Sequence, residues 1–98
     1  MRSSAKNIVE CYQSALQKGL GPLVVVTKHL IERLIERVPL SEMDVVIKQI
    51  VKRIKTNLCV IAYESVVAGN AIRIRVANFK LVCWTNVDAQ KLVLRTIY

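Results

Sequence analysis

The chain has 98 residues, 53% of them hydrophobic, three cysteines and a formal net charge of +8. The length indicates a single domain, residues 1–98, and the apolar runs are too short to span a bilayer. Three cysteines without a CxxC pair exclude a secreted disulfide framework. The charge favours an anionic partner, and the high apolar content of so short a chain favours a homodimer.

The first part of the chain is predicted to be a helical hairpin. Apolar residues at three- and four-residue steps predict a helix over residues 3–19, ended by Gly19. A second amphipathic helix is predicted from Lys28 to Val38. Between them, the segment LVVVT at 23–27 is compatible with a strand, because it is rich in β-branched residues. It is also compatible with a longer second helix that starts at Pro22, and the Gly-Pro start slightly favours the helix.

The segment PLSEMDVVIKQIVKRIKTN, residues 39–57, has the clearest helical pattern. Ser41 followed by Asp44 predicts a capping box at its start. Its buried stripe is apolar, and its outer face is basic. The basic residues of this helix are Lys48, Lys52 and Lys55, at i, i+4 and i+7, with Arg53 beside them.

The segment LCVIAYESVVAGNAIRIRVANFKLVCW, residues 58–84, predicts a β-hairpin with a two-residue turn at Gly69-Asn70. This register places Glu64 opposite Arg75. The alternation of apolar residues changes phase near Ala77-Asn78, which predicts a β-bulge there. The bulge brings the later basic and aromatic residues to the face of the earlier arginines. The predicted face therefore carries Arg73, Arg75, Lys80 and Trp84.

The last segment, TNVDAQKLVLRTIY at 85–98, is compatible with a short helix from about residue 87 or with a strand. The pattern as a whole predicts an α+β fold. In this fold, N-terminal helices (a helical hairpin plus a third amphipathic helix) pack on an antiparallel β-hairpin or small sheet.

Positive charge is concentrated in the second half of the chain, since residues 48–98 hold nine of the fifteen Lys and Arg residues but only Glu64 and Asp88 as acids. Alternate residues of a strand lie about 6–7 Å apart, which is close to the phosphate spacing of an extended nucleic-acid strand. We therefore expect a small, basic, non-catalytic protein that binds DNA or RNA, mainly through phosphates. The candidate residues are Arg73, Arg75, Lys80, Lys48, Lys52, Arg53 and Lys55, with Trp84 stacking on a base.

A second interpretation is a structural or interaction subunit of a homo-oligomeric or viral assembly. In such a subunit, Arg73 and Arg75 pair with carboxylates across an interface, and apolar strand faces meet other copies.

The sequence shows no convergent catalytic groups. His29 is the sole histidine and is expected on the surface, and no phosphate-binding loop or clustered set of metal ligands is present, so we expect no enzyme activity, cofactor or metal. The first twenty residues lack a signal-peptide core. With three thiols expected to be reduced and mostly buried, these features predict an intracellular protein of the cytoplasm, or of a host cytoplasm or nucleus.

Overall fold

The computed structural model describes the backbone of residues 4–98 and the side chains of residues 8–98. It has the predicted α+β fold, in which helices cover one face of a four-stranded mixed sheet. A short 3-10 turn, Leu40–Glu42, precedes the third helix. The elements in chain order are α1 (Ser4–Leu20), β1 (Val24–Val26), α2 (Lys28–Arg37), α3 (Met43–Thr56), α4 (Leu58–Ala68), β2 (Ile72–Val76), β3 (Phe79–Asn86) and β4 (Lys91–Ile97).

The strand order is β1-β4-β3-β2, so β1 and β2 form the two edges of the sheet. β1 runs parallel to β4, whereas the β4–β3 and β3–β2 pairs are antiparallel. The slight preference for a helix at residues 23–27 was therefore wrong, because three consecutive valines pair with β4. Thr27 then caps α2: its hydroxyl accepts from the Leu30 N–H at 3.2 Å and donates to the Leu94 carbonyl at 2.8 Å.

The hydrophobic core lies between the helices and the inner face of the sheet. Gly19 lies inside α1 and packs on α3, where an added Cβ would lie 3.0 Å from a Val51 methyl group. The glycine with a positive φ of 86° is Gly21, so the prediction that Gly19 ends the helix was wrong. The strands contribute nine buried residues to this core: Val24, Val26, Ile74, Val76, Leu81, Cys83, Leu92, Leu94 and Ile97.

Residues 58–68 form a helix, and the predicted hairpin turn at Gly69-Asn70 was wrong. Gly69 instead ends α4 in the left-handed conformation with φ 73°, and its N–H bonds to carbonyls of the last turn. Ile61 and Ser65 are the buried residues of α4, four positions apart. The Ser65 hydroxyl accepts a hydrogen bond of 2.9 Å from the Thr85 N–H, which fixes α4 to β3.

The start of α3 also differs from expectation. The start of α3 has Glu42 at the N-cap position with no side-chain cap hydrogen bond, so the capping box from Ser41 to Asp44 was wrong. The 3-10 turn that precedes α3 occupies this part of the chain instead. At the other end of the chain, where the sequence is compatible with a helix or a strand, the structure has strand β4.

No helix in the described part of the chain combines the length and the apolar character needed to cross a membrane.

Candidate nucleic-acid interface

The helices cover only one side of the sheet, so the side chains on the other side form a free surface that we call the open face. In β3, Leu81 and Cys83 are fully buried beneath the helices, and the residues between and beside them therefore point to the open face. The same alternation holds in β2, where Ile74 and Val76 are buried. The residues of the open face in β2, β3 and β4 and the last residue of the chain are Arg73, Arg75, Lys80, Val82, Trp84, Asn86, Lys91, Val93, Arg95, Thr96 and Tyr98.

A two-residue turn at Ala77-Asn78 places Arg75 directly opposite Lys80. Ala77 has a positive φ of 54°, as the first central residue of a type II′ turn does. The predicted bulge at these residues was wrong, and the change of phase marks the turn of the hairpin itself. The prediction that Arg73, Arg75, Lys80 and Trp84 share one face is confirmed, but the hairpin β2–β3 is the reason.

Arg75 and Lys80 approach each other closely. The backbone N–H and C=O of Lys80 bond to Tyr98 at 2.6 and 3.0 Å, so they point away from β2. Arg75 and Lys80 therefore form a non-hydrogen-bonded pair, in which the Cα atoms are about 4.5 Å apart and the side chains are closest. Like charges directly opposite in this way repel each other and destabilise the sheet.

Tyr98 orients the other arginine of the open face. The Arg73 Nε donates a hydrogen bond of 3.1 Å to the Tyr98 hydroxyl. The two residues lie on β2 and at the end of β4, on either side of β3, so the ring of Tyr98 lies across the open face. This bond fixes the guanidinium through Nε and leaves the four N–H donors of its two terminal nitrogens for a ligand.

A β-bulge in the β3–β4 pair adds a further cation. Val82 lies opposite Thr96 and Cys83 lies opposite Leu94, so Arg95 is the extra residue. Since Leu94 and Ile97 are buried, both residues between them point to the open face. Arg95, Lys91 and Tyr98 are not among the predicted site residues, because the sequence of residues 85–98 is compatible with both a helix and a strand. A strand assigned over 91–97 would have placed Lys91 and Arg95 beside the other cations.

The four strands contain no acidic residue, so no carboxylate within the strands neutralises the cations of the open face. The acids lie on the helices, before α3, and at Asp88 in the turn that joins β3 and β4. Among residues 8–98, the ion pair that forms is Arg33–Glu36, at 3.2 Å, on α2. The prediction that Glu64 lies opposite Arg75 in a hairpin was wrong, because Glu64 belongs to α4.

The structure divides the basic residues predicted on α3 into two groups. Lys52 and Arg53 line a cleft of about 270 Å³ together with Arg75, at the end of β2. Lys48 and Lys55 are also exposed but do not line this cleft. Arg75 therefore connects Lys52 and Arg53 of α3 to the open face, whereas Lys48 and Lys55 lie outside this cleft.

Trp84 lies on the open face with 37% of its surface exposed. It faces Val93 of β4 across the pair, and its chain neighbours Cys83 and Thr85 are turned towards the helices. The Thr85 hydroxyl donates to the Ala62 carbonyl of α4 at 3.3 Å, which confirms the direction of alternation. A half-exposed indole beside a row of cations is suited to stacking on a planar base.

The described cysteines include one buried and two exposed thiols. Burial raises the pKa of the Cys83 thiol to about 12, so this group stays protonated and is a poor nucleophile. Cys11 and Cys59 are exposed free thiols, so the expectation that the cysteines are mostly buried was wrong. Within residues 8–98, no group of three His, Cys, Asp or Glu side chains is placed to hold a metal ion.

Comparison of the chain with protein-family models, with curated proteins and with solved structures finds no match in any of the three.

Proposed function

We propose that this protein binds single-stranded nucleic acid on the open face, without catalysis, through phosphate contacts and base stacking. The observation that carries the proposal is the cluster formed by Arg73, Arg75 and Lys80 on strands that contain no acidic residue. Trp84 lies on the same face, and an exposed indole finds a free base only where the bases are not paired.

The repulsion between Arg75 and Lys80 supports an anionic ligand. Two cations held directly opposite each other without a carboxylate raise the free energy of the unbound sheet. A phosphate between them relieves this repulsion and accepts charge-assisted hydrogen bonds from both. Arg73 lies two residues along β2, at about 6–7 Å, so it meets the next phosphate of an extended strand.

The test is binding of fluorescein-labelled 12-nucleotide single strands of RNA and DNA, and of the matching duplex, at several salt concentrations. We expect binding to fall with salt, with a slope of about −0.7 per phosphate contact, or about −2 for three contacts. Single strands should bind more tightly than the duplex. Absence of binding at low salt, or an affinity that is indifferent to salt, contradicts the proposal.

A matched pair of variants separates the open face from general charge. Arg73→Gln with Lys80→Gln removes two cations from the open face, whereas Lys28→Gln with Arg37→Gln removes two exposed cations from α2. Both double variants have the same net charge. We expect the first pair to lose affinity and most of the salt slope, and the second pair to keep both. Equal losses in the two pairs contradict the assignment of the open face.

The second candidate is an interaction subunit, which the apolar surface of α4 favours. Tyr63 and Val67 are 70% and 67% exposed, and Val60 and Val66 are also exposed on this helix. An exposed apolar patch of this kind is typical of protein–protein contacts. If the protein is such a subunit, light scattering should give a dimer or larger assembly that persists at high salt, and Val67→Lys should dissociate this assembly. Val87→Lys, at an exposed valine in the β3–β4 turn, is the control.

We also propose that the protein acts inside the cell. Two exposed cysteines, Cys11 and Cys59, remain free thiols most readily in a reducing compartment. Modification of the protein in intact cells with a membrane-permeable maleimide should label both, and prior oxidation of both would contradict this placement.

A further inference from the structure

The two edges of the sheet differ in their hydrogen bonding. At the β1 edge, the side chain of Gln17 makes the hydrogen bonds that a neighbouring strand would make. Its amide nitrogen donates to the Val24 carbonyl at 2.6 Å, and its oxygen accepts from the Val26 N–H at 3.0 Å. Gln13 also donates to the Val26 carbonyl, at 2.9 Å. The β1 edge is therefore covered by α1.

The β2 edge has no such cover among the described residues. Because Arg75 and Lys80 form a non-hydrogen-bonded pair, the N–H and C=O of Arg75 point outwards, and so do those of Arg73 two residues earlier. No hydrogen bond from the described side chains or loops reaches these four groups. The edge therefore presents two N–H donors and two C=O acceptors beside α3 and α4.

Two adjoining clefts form one groove along this edge, which we call the edge groove. The first cleft, of about 270 Å³, lies between the end of α3 and the Arg75–Ala77 end of β2. The second, of about 410 Å³, continues along β2 to Ile72 and is bounded by α4. Arg53, Asn57 and Arg75 line both clefts, so the two are continuous.

The chemistry of the edge groove changes along its length. The first cleft has three cations, Lys52, Arg53 and Arg75, with the polar side chains of Gln49 and Thr56 and no carboxylate. Its residues are donors of the kind that hold a phosphate. The second cleft shares Arg53 and Arg75 with the first and adds Arg73, but it also has apolar walls and one carboxylate; these further residues are Val60, Ile61, Ile72 and Glu64.

We propose that the edge groove binds one nucleotide, with its phosphate at Lys52, Arg53 and Arg75 and its base against Val60 and Ile72. This inference rests on the proposed function and adds a second, base-selective site to it. Glu64 only accepts hydrogen bonds, so it selects bases with adjacent N–H donors. Guanine offers two such donors side by side on one edge, whereas uracil offers one between two carbonyls. The groove spans about 16 Å along β2, which is sufficient for one nucleotide.

The probes are guanosine 5′-monophosphate, uridine 5′-monophosphate and inorganic phosphate, titrated into ¹⁵N-labelled full-length protein at low salt. We expect the guanosine nucleotide to bind most tightly, with saturable shifts at the amides of residues 53–57 and 72–77. Binding of phosphate alone with equal affinity would overturn the assignment of a base site. Shifts confined to Lys80, Trp84 and Arg95 on the open face would overturn the proposal that the nucleotide binds in the edge groove.

Variants on α3 provide a matched control, because all four cations are exposed. Lys52→Ala with Arg53→Ala should weaken nucleotide binding at least tenfold, and Lys48→Ala with Lys55→Ala should leave it within about twofold. Glu64→Gln should reduce the preference for guanosine over uridine nucleotide. Equal effects of the two double variants, or an unchanged preference in Glu64→Gln, would overturn the proposal.

The two kinds of ligand separate this inference from the proposed function. If the 12-nucleotide strands bind the open face and no mononucleotide binds the edge groove, the groove alone is refuted. If mononucleotides bind the groove and the strands do not bind, the proposed function is refuted and the groove remains as a nucleotide site.

Discussion

Replacement of Lys80 by glutamate should stabilise the fold and abolish binding at the same time. Lys80 is exposed and lies directly opposite Arg75 on the open face. The wild-type pair repels, whereas a glutamate in place of Lys80 attracts the Arg75 guanidinium. At the same time, the change adds a negative charge at the centre of the surface that we propose to contact phosphates.

The magnitude follows from the position of the pair. A cross-strand charge pair contributes about 0.2–1 kcal/mol in either direction, and the substitution removes a repulsion as well as adding an attraction. Since both side chains are exposed and screened, we expect a gain of about 0.5–1 kcal/mol in the free energy of unfolding. In a domain of this size, that corresponds to a rise in Tm of about 2–8 °C.

The assay is thermal unfolding followed by circular dichroism, at low salt and at about 1 M salt, where the Debye length falls to about 3 Å. Lys80→Gln, which only removes the repulsion, should give a smaller rise. The double variant Arg75→Glu/Lys80→Glu restores a like-charge pair and should lose the gain. A lower Tm for Lys80→Glu at low salt, a gain that is the same at both salt concentrations, or retained binding of single strands would refute the reasoning.

Three further substitutions test other parts of the structure. Trp84→Ala should weaken binding of single strands by about 5–150-fold, as loss of one stacked base does, and leave duplex binding unchanged in a fluorescence anisotropy titration. Ser65→Ala leaves the Thr85 N–H without its partner and should lower the free energy of unfolding by about 1–3 kcal/mol in urea titration; a loss below about 0.5 kcal/mol contradicts this. Ala77→Gly relieves the positive φ in the β2–β3 turn and should raise the Tm by a few degrees, whereas Asn78→Gly should not.

Helix α4 shows why part of the fold was not predictable from the sequence. Its inward positions include the small Ala62 and the polar Ser65, while Val60, Tyr63 and Val67 are exposed. The segment is therefore apolar all round and lacks the 3.6-residue period that identifies an amphipathic helix. Its β-branched residues favour a strand, and tertiary packing of Ile61 and Ser65 outweighs this preference. Gly69 suits a hairpin turn and the end of a helix equally well, so it did not decide between them.

The candidate site was more predictable than the element beside it. In strand β2 the alternation of Ile72, Arg73, Ile74 and Arg75 fixes which side chains face the helices, whatever strand pairs with it. The strand that pairs with β2 could be predicted only from the position of the turn between them. That turn is Ala77-Asn78, and it contains no glycine or proline to indicate it. The edge groove was not predictable at all, because it depends on α3 and α4 packing beside the free edge of β2.

The cations of the open face also have a structural task, which decides how they should be tested. A chain of 98 residues covers only one side of its sheet with helices, so Val82 and Val93 lie on the uncovered side and are nevertheless only half-exposed. The aliphatic parts of long side chains such as Arg73, Lys80 and Arg95 shield such residues while their charged ends remain in water. Truncation to alanine removes both the charge and the shield, and it therefore lowers stability as well as binding. Substitution by glutamine or methionine keeps most of the shield, so a loss of binding without a loss of Tm in these variants is the result that assigns the charge itself to the ligand.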